Sequence, residues 1–145
     1  MANLHPWPAR WPVGLRPDTE RHPLATGETF LAGAFVTLNG SDEAEEVTGS
    51  DPTDLYGIAA ENAEDVVEAG YVLVHHFDQS TYIAMQGTRT PLASDIDVDY
   101  GIVKDADDVY VVDLTDTTNT RVTVCDVSLT RELYFVKVLS AHIQS

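Results

Sequence analysis

The sequence predicts an all-β protein: a single small β-barrel or β-sandwich domain with an extended Pro/Trp-rich N-terminal arm. From residue 24 onward, short apolar segments recur at intervals of about 10 residues and are separated by polar turn residues, a pattern typical of sandwiches and small barrels. Five of the seven prolines fall in the first 23 residues. We therefore divide the 145-residue chain into an arm, residues 1–23, and a body, residues 24–145, large enough to bury a core of its own.

The arm is expected to be extended, because each proline removes a backbone donor and disfavours the helical conformation of the residue before it. It also carries aromatic and cationic side chains, which are the types that most often anchor protein interfaces. The predicted partner-binding residues are Trp7, Arg10, Trp11, Arg16 and Arg21. They suggest a strap laid over the chain's own body or over a neighbour. A frayed tail is the alternative, since termini are often poorly ordered.

The body is predicted to consist of short strands. The predicted strands cover residues 29–38, 46–48, 55–60, 71–77, 81–86, 98–104, 109–114, 121–129 and 133–143. Gly33 is expected to mark a bend, and Asn39-Gly40 a turn. Residues 71–77 and 81–86 are predicted to pair as a hairpin. One helical turn is expected over residues 61–70, capped by Asn62, with Val66 and Val67 facing inward.

Charge is distributed unevenly along the chain. The sequence has 24 acidic and 8 basic residues, a net charge of −16. Residues 1–23 hold three arginines and two carboxylates (+1), whereas the remaining residues hold 5 basic and 22 acidic side chains (−17). This balance argues against a nucleic-acid partner. It is typical of soluble proteins whose copies repel one another, and a salt-rich habitat would also account for it.

The sequence contains no recognisable membrane or secretion signal. No apolar run approaches the roughly 20 residues of a membrane-spanning helix. The N-terminus lacks the apolar segment of a secretion signal. We therefore expect a soluble protein that is synthesised in the cytoplasm and has no membrane partner.

No pattern in the sequence points to catalysis or to a cofactor. The single cysteine, Cys125, excludes an intrachain disulfide and is expected to pack as a small hydrophobic residue. His75 and His76 are adjacent in a predicted strand, so their rings should face opposite sides and not share a metal. Nucleophile and phosphate-binding motifs are missing. We predict no catalytic, cofactor-binding or metal-binding residues; an enzyme would require two carboxylates, or His75 and a carboxylate, to converge in a cleft.

Three alternating aspartates, Asp95, Asp97 and Asp99, are the strongest candidates for a cation site. In a strand they would line one face and could bind calcium. However, the calcium-loop motif requires glycine and glutamate where this chain has Tyr100 and Ala106. If Ser94 instead capped a helical turn, the carboxylates would be scattered. Solvated surface is the favoured interpretation, and the nearby 105–108 cluster is expected to be an exposed turn.

Four stretches of the sequence carry a family resemblance. The runs GETFLAGAFVTLNG and LYGIAAENAE, followed by TPLASDIDVDYGIVKDADDVYVVDLTDTTNTRVTVCDV and LYFVKVL, resemble small head decoration (cement) proteins of tailed bacteriophages. The similarity covers about residues 24–140 and rests on glycines, strands and turns. It implies a β-rich structural protein on the outer face of a virion. Such a protein would bind the major capsid protein, assemble as a homotrimer and clamp neighbouring capsomers. It implies no catalytic or cofactor residue.

Two alternatives to a cement protein remain open at this stage. One is a phage tail or fibre component. The other is a carbohydrate- or ligand-binding β module, assisted by calcium at the three aspartates.

Overall fold

The fold is built from short strands. The computed structural model describes residues 5–9, 19–47, 54–63, 70–77 and 81–144. These residues contain eleven strands, two single-turn 3₁₀ helices and no α-helix, which confirms the all-β prediction. The strands are β1 Trp7–Ala9, β2 Thr19–Pro23, β3 Phe35–Leu38, β4 Ala44–Glu46, β5 Gly57–Ala59, β6 Tyr71–His76, β7 Tyr82–Met85, β8 Asp99–Lys104, β9 Tyr110–Asp113, β10 Val122–Ser128 and β11 Leu133–Val138. The 3₁₀ helices are Ala93–Asp95 and Ser140–His142.

The strands form two antiparallel sheets. One has six strands in the order β1-β7-β11-β10-β8-β9, and the other has five in the order β2-β6-β5-β3-β4. The larger sheet curls into a half-barrel, because the end of β7 meets β9 at a parallel bridge between Gly87 and Val112. There the Thr88 amide donates to the Val112 carbonyl and the Val112 amide to the Gln86 carbonyl, both at 2.9 Å.

A single apolar core lies between the sheets. Strand β11 shows the alternation that produces it: Tyr134, Val136 and Val138 are buried, and the residues between them are half-buried. Across the core, the Phe35 ring of β3 lies 5.3 Å from the Tyr110 ring of β9 and 5.7 Å from the ring of Phe77. Removing these surfaces from water is the main force that holds the two sheets together.

Each predicted strand overlaps an observed strand, but residues 29–34 and 139–143 lie outside the strands, with a 3₁₀ helix at Ser140–His142, and one predicted pairing is wrong. Residues 71–77 and 81–86 do not form a hairpin, because β6 pairs with β2 and β5 in one sheet, whereas β7 pairs with β1 and β11 in the other. Alternating apolar residues show that each segment is a half-buried strand, but they do not identify its partner. The chain crosses from one sheet to the other between β6 and β7.

The predicted helical turn is contradicted where the structure describes it. Ala63 forms an antiparallel bridge with Phe30, with amide–carbonyl distances of 2.8 and 3.1 Å. The Asn62 side chain does not cap a helix; its Oδ1 accepts a hydrogen bond from the Ala32 amide at 2.9 Å. Val66 and Val67 lie outside the described residues.

The predicted bend and turn are confirmed. Gly33 has a φ of 92°, and the turn after Asn39 connects β3 to β4. Three hairpins each contain an acidic residue in the left-handed region: Asp42 between β3 and β4, Asp108 between β8 and β9, and Glu132 between β10 and β11. Aspartate tolerates this conformation better than most residues, which accounts for Asp42 and Asp108.

The described residues nearest each terminus pair with the rest of the fold. At the N-terminus, β1 pairs with β7 at the edge of the larger sheet, and β2 pairs with β6 at the edge of the smaller one. At the C-terminus, the Gln144 side chain accepts from the Leu38 amide (2.8 Å) and donates to the Leu38 carbonyl (2.9 Å), as a neighbouring strand would. Among the described residues, no helix has the length and apolar character needed to cross a membrane.

Candidate functional site

The predicted docking residues are distributed over both sheets. Trp7 lies in β1, opposite Ala84 of β7. Arg21 lies in β2, opposite Leu73, and is exposed. Arg10, Trp11 and Arg16 belong to residues 10–18, which connect the two strands and lie outside the described residues. The described part of the predicted arm is therefore extended, as expected, and each of its strands adds to the edge of a sheet.

Strand β2 is attached to the body by a polar cluster as well as by its backbone. The Tyr56 hydroxyl donates to the Glu20 carboxylate at 2.5 Å, and His22 Nε2 lies 2.9 Å from that hydroxyl and 3.2 Å from the carboxylate. The hydrogen bond from Tyr56 is the main reason that the pKa of Glu20 is lowered. Burial, with the nearby carboxylate, raises the pKa of Tyr56 far above its usual range. Tyr56 therefore remains a donor at neutral pH.

His75 and His76 make separate contacts. The His76 ring stacks on Tyr56, with centroids 4.3 Å apart and planes 11° apart. His75 Nδ1 lies 3.4 Å from the Thr19 hydroxyl of β2. His75 therefore contacts β2 directly, and His76 contacts the tyrosine that binds Glu20 of β2. The sequence did not indicate either contact.

Asp95 is the centre of the most extensive polar network among the described residues. Its side chain is 3% exposed, and both of its oxygens are bound by the Arg89 guanidinium, at 2.7 and 2.9 Å. The Leu92 amide donates to it at 2.9 Å, and the Tyr100 and Tyr134 hydroxyls donate at 3.1 Å. Arg89, followed by these other donors, holds the pKa of Asp95 far below its usual range. Burial and the carboxylate raise the pKa of both tyrosines.

This network corrects the interpretation of the three aspartates. Asp95 was expected on a solvated surface, or on one face with Asp97 and Asp99. Instead it ends the first 3₁₀ helix and is buried, Asp97 is exposed with a φ of 67°, and Asp99 is exposed in β8. A cationic side chain already occupies the carboxylate that a calcium ion would need. The alternating aspartates predicted an extended strand, but the chain forms a turn at residues 93–97, and β8 begins only at Asp99.

A second network connects the two sheets. Lys104 of β8 forms an ion pair with Glu46 of β4 at 2.8 Å, and the Tyr110 hydroxyl donates to the same carboxylate at 3.0 Å and to the Val47 carbonyl. Asp108 lies 3.5 Å from the Lys104 ammonium. Burial opposes the charge of Lys104, but the two carboxylates raise its pKa overall. The expected exposed turn at 105–108 is confirmed.

Cys125 is half-buried at a bulge in β10, and burial raises the pKa of its thiol. A raised thiol pKa leaves less thiolate at neutral pH and so lowers its reactivity. This agrees with the expectation of a packing role for Cys125.

The polar clusters consist of groups that bind one another. Glu20, Glu46 and Asp95 each accept hydrogen bonds from side chains of a different element, so each connects parts of the fold. No protein-family model matches this sequence, and comparison with curated proteins finds no significant relative.

Proposed function

We propose that this chain is a structural virion protein that binds the outer surface of a tailed-phage capsid and stabilises it by clamping neighbouring capsomers. Its partner in this proposal is the major capsid protein, and its activity is not catalytic. The resemblance of residues 24–140 to head decoration proteins motivates the proposal, and the all-β fold is compatible with it.

The observation that carries the proposal furthest is the position of the N-terminal segment. Its two described strands occupy the outer edges of both sheets, and the predicted docking residues lie in these strands or in the connection between them. A segment held at both ends against a rigid body loses less conformational entropy on binding than a free tail. Such an arrangement favours attachment to a large, repetitive surface.

The charge distribution also favours the N-terminal segment as the part of the chain that binds the shell. Residues 1–23 carry a net charge of +1, whereas the rest of the chain carries −17. Tryptophan and arginine side chains in the near-neutral segment would bind apolar clefts and carboxylates of the shell. Weak contacts repeated over many copies in a shell add up through multivalency.

The internal polar networks are compatible with a protein that withstands mechanical stress. The Lys104–Glu46 pair connects the sheets, and the Glu20–Tyr56 contact connects β2 to the body. The Glu46 side chain of the first contact is only 10% exposed, and buried polar groups that are hydrogen-bonded help to specify one packing arrangement. A protein that clamps capsomers against internal pressure requires such rigidity.

The proposal can be tested with heads of the phage that encodes this chain, assembled without it. We expect the purified protein to co-sediment with these heads and to raise the temperature at which they release DNA. Absence of binding would overturn the proposal.

The docking residues can be tested separately from folding. Deleting residues 1–20 would remove β1 and part of β2 and thereby expose two sheet edges, so substitutions are the cleaner test. In R10A/W11A/R16A both strands remain, and we expect head binding to weaken at least about tenfold. The control T117A/T118A changes exposed threonines of the body and should bind normally. Equal binding by the two variants would exclude the predicted docking residues.

A further inference from the structure

We infer that one end of the larger sheet carries a second surface that binds the major capsid protein, in addition to the N-terminal segment. This surface consists of residues 88–94, which follow β7 and enter the first 3₁₀ helix, and of the β10–β11 turn at residues 129–132. We name it the leucine surface, after its two exposed leucines, Leu92 and Leu129. The inference rests on the proposed function, because it identifies a further contact of the same complex.

The strand register places the two segments at the same end of the sheet. Met85, at the end of β7, lies opposite Tyr134 near the start of β11, and Ser128, at the end of β10, lies opposite Leu133. The segment after β7 and the β10–β11 turn therefore leave the sheet at the same end. The Tyr134 hydroxyl also lies 3.4 Å from the Arg89 carbonyl, so the segment after β7 runs beside the start of β11. The two segments thus form one surface.

The leucine surface exposes large hydrophobic side chains. Four such side chains are exposed among the described residues, and two of them, Leu92 (51% exposed) and Leu129 (59%), lie on this surface. The other two, Leu31 and Tyr71, lie outside the larger sheet. Removing apolar area from water is the main favourable contribution to most protein associations. The two leucines are therefore the side chains of this surface that a partner would bury with most gain.

The backbone of Leu92 is held in place although its side chain is exposed. Its amide donates to the Asp95 carboxylate, and its carbonyl accepts from the Asp95 amide, both at 2.9 Å. The Arg89 guanidinium binds the same carboxylate, and the Thr88 hydroxyl accepts from the Leu114 amide at 3.1 Å. A loop that is already ordered loses less conformational entropy on binding than a flexible one. The Asp95 network thus preorganises Leu92 for a partner.

The leucine surface also interrupts the acidic character of the body. Residues 79–94 contain no acidic residue, the longest such run within residues 24–145. The two segments of the surface hold two of the body's five basic residues, Arg89 and Arg131, and one carboxylate, Glu132. Arg89 is already ion-paired, whereas Arg131 is exposed in the turn. This charge favours a partner whose apolar side chains are accompanied by carboxylates.

A depression beside the turn provides a site for such a side chain. It has a volume of about 290 Å³, and Val127, Arg131 and Phe135 are among the residues that line it. An apolar side chain of the partner can pack on Phe135 while a neighbouring carboxylate pairs with Arg131. This combination of apolar contact and a polar margin is typical of protein interfaces.

The position of β1 favours the major capsid protein as the occupant. Trp7 of β1, a predicted docking residue, lies opposite Ala84 of β7, and the leucine surface begins four residues later at Thr88. The surface is therefore continuous with the strand that holds the N-terminal segment. A capsid protein bound to that segment can contact the leucine surface without a second loss of translational freedom, so the two contacts reinforce each other.

The test uses phage heads assembled without this protein and measures the dissociation constant of each variant by co-sedimentation. We expect L92S/L129S to bind at least about tenfold more weakly than the wild type. The matched control L31S/Y71S removes the two exposed hydrophobic side chains that lie outside the leucine surface and should bind like the wild type. Circular dichroism and thermal unfolding check that all three proteins are folded.

Three results would overturn this inference, and each has a different meaning. If L92S/L129S binds heads no more weakly than L31S/Y71S, the leucine surface does not contact the capsid, but the proposed function stands. If the wild type does not bind heads, the proposed function fails and this inference fails with it. If L92S/L129S lowers the sedimentation mass of the free protein without weakening head binding, the surface contacts another copy of the chain instead.

Discussion

Arg89 binds both carboxylate oxygens of Asp95, and this pair connects the segment after β7 to the first 3₁₀ helix. Tyr100 of β8 and Tyr134 of β11 donate to the same carboxylate. One buried side chain therefore holds together a loop and two strands of the larger sheet. Removing the carboxylate would take away the acceptor of the Leu92 amide and of the Tyr100 hydroxyl, and would leave the Tyr134 hydroxyl only its 3.4 Å contact with the Arg89 carbonyl.

We expect D95N to destabilise the protein by about 2 to 3 kcal/mol, because the substitution removes the charge that Arg89 and the tyrosines bind. This loss of stability is at the lower end of what breaking a buried ion pair costs, because Arg89 is 43% exposed and can be hydrated. Urea unfolding would measure the loss. D97N is the matched control: Asp97 is exposed with a φ of 67°, which asparagine tolerates, so its effect should stay within about 0.5 kcal/mol. Equal effects would contradict the assigned role of Asp95.

The contribution of Asp95 should depend on pH in a defined direction. Its pKa is lower in the folded protein than the value of about 3.9 expected when unfolded. The stabilisation is therefore fully present above the unfolded pKa and is lost as the pH falls below it. Unfolding free energies of the wild type and D95N should differ most at neutral pH, begin to approach each other below about pH 4 and converge only as the pH falls through the folded pKa, far below the unfolded value. A difference that stays constant with pH would show that the charge is not responsible.

The Y56F substitution should loosen β2 without disturbing the core. It removes the hydroxyl that donates to Glu20 and lies beside His22, at a local cost of about 1 to 2 kcal/mol. We expect the backbone amides of β2 to exchange with deuterium faster, while those of β11 are unchanged. Y71F removes a hydroxyl from a tyrosine that is 56% exposed and should leave the exchange of β2 unaltered. If β2 exchanges equally in both variants, the cluster does not anchor it.

Alanine substitutions at two glycines distinguish the effect of packing against the N-terminal segment from the effect of backbone strain. Gly33 and Gly27 both have positive φ, 92° and 83°. A Cβ at Gly33 would lie 2.6 Å from the His5 Cβ and 3.1 Å from the Pro6 carbonyl oxygen, whereas a Cβ at Gly27 would meet nothing within 4 Å. We expect G27A to cost about 1 kcal/mol from strain alone, and G33A to cost a further 1 kcal/mol or more.

The additional effect of G33A should be local. The amides of His5, Trp7 and Ala9 should exchange faster in G33A than in G27A, because the new methyl group displaces the segment that leads into β1. Equal exchange of this segment in the two variants would mean that Gly33 does not hold the N-terminus in place.

Local patterns in the sequence were sufficient to predict most of the strands. Alternating residues in 133–138 and the turn at Asn39-Gly40 correspond to β11 and to the β3–β4 hairpin. These features depend on interactions between near neighbours in the chain: alternation places one face toward the core, and turn residues stop a strand. For the same reason the acidic turn at residues 105–108 was predictable.

The candidate sites were less predictable. Arg89 and Asp95 are six residues apart, but Tyr134 is 39 residues from Asp95, and Tyr56 is 36 residues from Glu20. No local pattern distinguishes these two tyrosines from the other tyrosines of the chain. The Asp95–Asp97–Asp99 alternation was misleading, because one of the three side chains turns inward to meet its partners.

By itself the sequence determined the all-β class, the approximate position of most strands and the contrast between a near-neutral N-terminus and an acidic body. Each follows from composition or from spacings of a few residues. Only the tertiary structure decided that β6 and β7 belong to different sheets, that β1 and β2 extend their edges, and that Asp95 is buried. These three features depend on contacts between segments that are distant in the sequence. The packing of the whole core and the need of buried carboxylates for hydrogen-bond donors determine those contacts.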